Sequence, residues 1–110
     1  MATATPALAN RTVVKINVDS KGGVESVTPN QFEVSKGKQE EVIWIVDSFQ
    51  PVYFTVEFKG QSPFYESQFS SDFPVSGLIR REVLADPLKE YKYTVRAGGK
   101  TLDPVGIVKP

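Results

Sequence analysis

Apolar side chains recur at every second position along most of this chain, and a period of two is the signature of strands with one dry face. Val14, Ile16 and Val18 alternate with Lys15, Asn17 and Asp19, after which Gly22 and Gly23 allow the positive φ of a reversal. Phe32 and Val34 flank Glu33, and Lys36, Gly37 and Lys38 read as the turn into the next run. Residues 42–46 are apolar throughout (Val, Ile, Trp, Ile, Val), which predicts a central strand covered on both faces. After Pro51, the side chains of Val52, Phe54, Val56 and Phe58 point one way and those of Tyr53, Thr55 and Glu57 the other. Residues 77–84 predict a weaker strand, interrupted by Arg80, Arg81 and Glu82, whose inward pair is either Ile79 with Val83 or Leu78 with Leu84. Asp86 and Pro87 mark a turn before Tyr91, Tyr93 and Val95, and Gly98 and Gly99 close that strand. Asp103 and Pro104 precede a last short strand over 105–108. Seven such runs with no sustained helical period predict an all-β fold, an antiparallel Greek-key β-sandwich or barrel of about seven or eight strands.

The long interruption at 59–76 differs from a solvated loop because it carries Phe64, Tyr65, Phe69 and Phe73. Ser62 followed by Pro63 suits a helix start, so the insertion is expected to be part-helical, with one or two turns. The four aromatics have two readings. Either they plug one end of the sandwich, as a loop of this length needs buried side chains of its own to be ordered, or they form a contact surface for a protein or small ligand. Residues 1–10 are small and polar and are read as a loose end. They lack the cationic start and apolar stretch of a secretory leader, and residues 11–110 are read as one domain.

Composition subtracts functions. The 110 residues contain no His and no Cys, which excludes imidazole-based triads, thiolate nucleophiles and Cys/His zinc sites. Thirteen Lys and Arg balance thirteen Asp and Glu, so net charge gives no reason to expect nucleic acid or anionic lipid as a partner, and no apolar run approaches membrane-spanning length.

Three fragments taken in order resemble a cupredoxin-type (plastocyanin- or azurin-type) domain. Phe32-x-Val34-x-Lys36-Gly37 with Val42-x-Trp44 is similar to the entry into the central strand of that family. Residues 51–54 (Pro, Val, Tyr, Phe) resemble the next strand, and Tyr91-x-Tyr93-x-Val95 with Gly106, Ile107 and Val108 the last two. The resemblance spans roughly residues 13–109 and implies a two-sheet Greek key. It does not carry the family's copper chemistry: Val52 stands where a ligating His is expected, Val95 where the Cys is expected, and residues 96–106 contain neither the second His nor the axial Met. Type 1 copper needs imidazole and thiolate donors, so no cofactor and no metal are expected. Because this family is frequent outside the bacterial cytoplasm, the resemblance tilts localisation toward the periplasm or secretion.

Other constellations have structural readings. Glu40, Glu41, Asp47, Glu57, Glu66, Asp72 and Glu82 are numerous enough for paired-carboxylate chemistry, but they fall on turns or wet faces, where solvated charge is the expected role. A hard cation near Asp72 or Asp103 lacks the loop motif that would hold it. Arg80 and Arg81 are expected to pair with Glu82 or Glu90, and Trp44 is expected in the core. The sequence therefore predicts a metal-free binding or interaction module, not an enzyme, with Phe64, Tyr65, Phe69 and Phe73 as its contact residues. The alternatives are a carboxylate-based enzyme or accessory domain, and a structural assembly domain.

Overall fold

Hairpin turns and inward-facing alternate residues dictate the architecture seen in a computed structural model, which describes residues 10–110. Nine strands and no helix occur among the described residues. They are β1 (Arg11–Val18), β2 (Val24–Thr28), β3 (Gln31–Ser35), β4 (Glu41–Asp47), β5 (Phe54–Phe58), β6 (Gln68–Ser70), β7 (Asp86–Ala97), β8 (Lys100–Leu102) and β9 (Val105–Lys109). The reading of residues 1–10 as a loose end lies outside the described residues except at Asn10, whose carbonyl accepts a hydrogen bond from Glu41 N at 2.9 Å.

Two sheets form. One has the order β2-β1-β4; the other runs β3-β9-β7-β5-β6, with β8 paired to β7. Both are mixed, which corrects the expectation of a purely antiparallel sandwich: β1 and β4 are parallel, as are β3 and β9. The reason is a change of sheet. After the β1–β2 hairpin the chain crosses to the second sheet as β3, and on its return β4 runs in the same direction as β1.

Two strands escape a period of two. In β2 the buried residues are Val24 and Val27, three apart, because Glu25 is an extra residue: Asn17 faces Ser26 and Val18 faces Val24. That bulge turns both valines inward. In the insertion, Ser62 Oγ accepts from Phe64 N at 3.0 Å and its hydroxyl donates to Glu66 O at 2.7 Å. The hydroxyl thus behaves as the expected cap, but no helix follows. Phe64 instead makes an isolated bridge to Ile79, and β6 joins the edge of β5, so that one bridge and one ladder satisfy backbone that a helix would have satisfied locally.

Residues 77–84 likewise do not form a strand. Ile79 and Val83 are the buried pair, and the segment turns where Val83 N donates to Arg80 O at 3.1 Å, leaving Leu78 and Leu84 exposed. The apolar run of β4 is an edge strand and not a doubly covered one. Val42 and Trp44 are buried, while Ile45 is 44% exposed. Its outer edge is capped over two residues, with Trp44 N donating to Pro74 O at 3.0 Å and Ser76 N to Val42 O at 2.8 Å. Val42 N donates in turn to the buried Ser76 hydroxyl at 2.8 Å. Pairing this edge removes part of a template for aggregation.

Between the sheets lies a cluster of six rings. Trp44 stacks on Phe69 at 5.2 Å between centroids, Phe58 packs on Tyr93 at 5.0 Å, and Phe32 lies 5.6 Å from Tyr93. Phe64 closes the group, 5.8 Å from Phe58. Each such ring, fully buried, contributes roughly 2–3 kcal/mol of hydrophobic stabilisation.

Candidate ligand-binding groove

The outward face of β5 begins the site. Alternation that sends Phe54, Val56 and Phe58 into the core leaves Thr55 and Glu57, with Tyr53 just before the strand, on the opposite side. Antiparallel registers then complete two rows. On one flank β6 sets Ser70 opposite Thr55 and Gln68 opposite Glu57; on the other, β7 sets Arg96 opposite Thr55. Arg96 Nη1 donates to Glu57 Oε1 at 3.3 Å and Gln68 Nε2 donates to Glu57 Oε2 at 3.2 Å. The row from Gln68 to Arg96 is therefore a line of planar polar groups whose two charges offset each other.

Two rings border this row. Tyr53 is 61% and Phe73 75% exposed, and both line the same groove of about 430 Å³ with Thr55, Glu57, Gln68, Ser70 and Arg96. Val56 and Phe69 supply the floor. One residue ties the bordering segments together. Ser71 Oγ accepts from Phe54 N at 2.9 Å and donates to Val52 O at 3.4 Å, so its hydroxyl spans Tyr53; Ser71 N also donates to Phe54 O. Phe73 sits two residues away in a tight turn, where its N–H donates to Ser70 O at 3.0 Å and Asp72 N donates to Ser70 Oγ at 3.2 Å.

The four aromatics singled out from the sequence are divided by the fold. Phe64 and Phe69 are buried at 1% and 6% exposure. Phe73 borders the groove just described. Tyr65 is exposed elsewhere, in a second groove of about 330 Å³ with Lys36, Gln39, Leu78, Ile79 and Arg81, its hydroxyl accepting from Arg81 N at 3.1 Å. The sequence reading placed Glu57 only among solvated carboxylates and did not assign Tyr53, Gln68 or Arg96 to a contact surface. Their signal was present for β5, since period-two alternation already puts Tyr53 and Glu57 on one face; the pairing with β6 and β7 was not written in any local pattern.

Most carboxylates have structural partners. Glu41 accepts from Arg11 Nε at 2.9 Å, Glu40 from Ser35 N at 2.7 Å, and Glu82 lies 3.5 Å from Arg80. Asp103 accepts from the Thr94 hydroxyl at 2.8 Å and lies 3.4 Å from Lys59 Nζ, contacts that lower its pKa, the Thr94 bond most. Asp19 is held to about 2 by Lys100 Nζ at 2.7 Å and by the amides of Gly23 and Lys21. No group of three or more His, Cys, Asp or Glu placed to hold a metal ion occurs among the described residues. No helix there is long and apolar enough to cross a membrane. The chain matches no protein-family model, and neither a curated protein nor a solved structure similar to it was found.

Proposed function

We propose that the chain is a metal-free, cupredoxin-like sandwich that works as a binding module through the groove on the outer face of β5, β6 and β7. The observation that carries the binding reading is the convergence of two exposed rings, Tyr53 and Phe73, on a hydrogen-bonded row of Gln68, Glu57 and Arg96. A concave face that combines apolar rings with a few convergent polar groups has the make-up of a ligand site. The cupredoxin-like part of the reading is supported by strands that change sheet after β2, β3 and β4. The metal-free part is supported by the apolar character of the positions where the resemblance would place copper ligands: Val95 is fully buried and Val52 packs against the core. Binding is favoured over catalysis because Glu57 is the groove's one carboxylate and is engaged on both oxygens, whereas carboxylate hydrolases need two.

Amide NMR of the labelled chain against mixtures of peptides, glycans and small metabolites tests this. Perturbations centred on Tyr53, Glu57, Gln68 and Arg96 are expected. Perturbations confined to the Tyr65 groove, or none with any mixture, would refute the assignment. A strong visible charge-transfer band on adding cupric ion would refute the metal-free reading.

A further inference from the structure

The groove's chemistry narrows its ligand. We propose that it binds a neutral saccharide chain, an inference that rests on the groove being the binding face. Three features select that class. The first is charge balance: Arg96 and Glu57 are 3.3 Å apart and neutralise each other, so the groove offers no unpaired charge to a phosphate, a nucleic acid or an acidic peptide.

The second is the pattern of donors and acceptors. Gln68 offers an amide carbonyl and its remaining N–H, Glu57 its spare lone pairs, Arg96 its remaining guanidinium donors, and Ser70 and Thr55 hydroxyls that both give and accept. Hydroxyls on a sugar ring are likewise donor and acceptor at once, and planar amide, carboxylate and guanidinium groups suit adjacent pairs of them. The third is the bordering rings. The negative face of an aromatic ring attracts the weakly positive C–H bonds that line one side of a pyranose, and it does so without charge. Tyr53 and Phe73 are both more than half exposed, and the Ser71 hydroxyl bridging Phe54 N and Val52 O fixes the backbone under Tyr53. A bordering surface that is already ordered loses little entropy on binding.

Affinity electrophoresis through gels containing soluble neutral polysaccharides (a β-glucan, a glucomannan, a xyloglucan and an α-glucan) supplies the test, with the folded chain run beside Tyr53→Ala and Phe73→Ala. Retardation by at least one of the four is expected, weakened roughly tenfold or more by either substitution, the effect of losing one stacked ring. Thermal midpoints of both variants should stay at the parent value. Retardation should also be unchanged between about 0.1 M and about 1 M salt, where screening would abolish a charge-driven contact. Absence of retardation by all four overturns the proposal. So does retardation that survives both substitutions, which would place saccharide binding outside this groove. A peptide or metabolite whose NMR footprint falls on the groove while all four polysaccharides fail would leave the binding face standing and remove the saccharide.

Discussion

The tip of the Phe32 ring occupies the place at which a side chain on Gly106 would stand: a β-carbon there would lie 2.0 Å from Phe32 Cζ. The two residues are direct partners across the parallel β3–β9 pair, so glycine is required for packing and not for backbone freedom. Gly106→Ala should therefore destabilise the fold by about 3 kcal/mol, at the upper end of overpacking costs, because the ring it displaces touches Trp44, Phe58, Phe64 and Tyr93. In urea the midpoint should fall with little change in slope. Combining Gly106→Ala with Phe32→Leu, which removes the colliding ring atoms, should cost less than the sum of the single changes by about 1 kcal/mol or more. Strict additivity would refute the contact.

The divided aromatics of the insertion give a second contrast. Phe64 has rings of Phe32, Phe58 and Phe69 within 6.2 Å, and its replacement by Ala should cost about 3–5 kcal/mol. Phe73→Ala removes a ring that is 75% exposed and should stay within about 0.5 kcal/mol of the parent. Chemical denaturation of the two variants side by side decides the matter. Equal losses would mean that the 68–73 turn is held by the Phe73 ring and not by the Ser70 and Ser71 hydrogen bonds.

Acid should act on one turn more than on the rest. The Lys100 ammonium and the amides of Gly23 and Lys21 hold Asp19 at about 2, below its ordinary 3.8. A carboxyl depressed in the folded state adds stability that is complete above its unfolded value and is lost as pH falls toward the folded one. The expected loss therefore runs from about pH 4 down to about pH 2. Asp19→Asn should flatten this limb of a plot of urea midpoint against pH, and Lys100→Met should shrink the limb and end it at a higher pH, its onset being set by the unfolded value. Parallel curves for the parent and Asp19→Asn would show that the turn contributes nothing to acid stability.

How much of this was legible in the sequence depended on how local the cause was. Val14 with Ile16, Phe32 with Val34, and Phe54 with Val56 and Phe58 are all buried as their alternation requires. β2 was hidden by its bulge, since Val24 and Val27 share a face only after Glu25 is displaced from the ladder. β6 was hidden by Ser62, which makes the hydrogen bond of a helix cap in a segment whose later residues are claimed by the edge of β5. β4 looked doubly covered because Ile43 and Ile45 are apolar, yet nothing in a strand's own residues reports whether it lies at a sheet's edge. The groove follows the same rule. Tyr53 and Glu57 share a visible period, whereas Gln68 and Arg96 reach Glu57 from strands 11 and 39 residues away through registers that only the assembled sheet sets.

Tyr93 is the counterpart of Asp19 at the other end of the pH scale. Its ring is fully buried at the centre of the aromatic cluster, and burial pushes the phenol up to about 12 from an ordinary 10.0. The Trp44 indole N–H, which donates to the hydroxyl at 3.5 Å, offsets little of that. An acid whose pKa is raised on folding adds stability that is complete below its unfolded value and is lost as pH climbs through the folded one. The parent should accordingly lose roughly 2 to 3 kcal/mol between about pH 10 and about pH 12 that Tyr93→Phe retains. Lysines and the other tyrosines titrate in both proteins, so the difference between the two stability curves isolates this phenol. Near neutral pH the Phe variant leaves the Trp44 N–H without its long bond and should be within about 1 kcal/mol of the parent. Curves that stay parallel through the alkaline range would mean that water reaches Tyr93 in the folded state, and with it the centre of the packing described above.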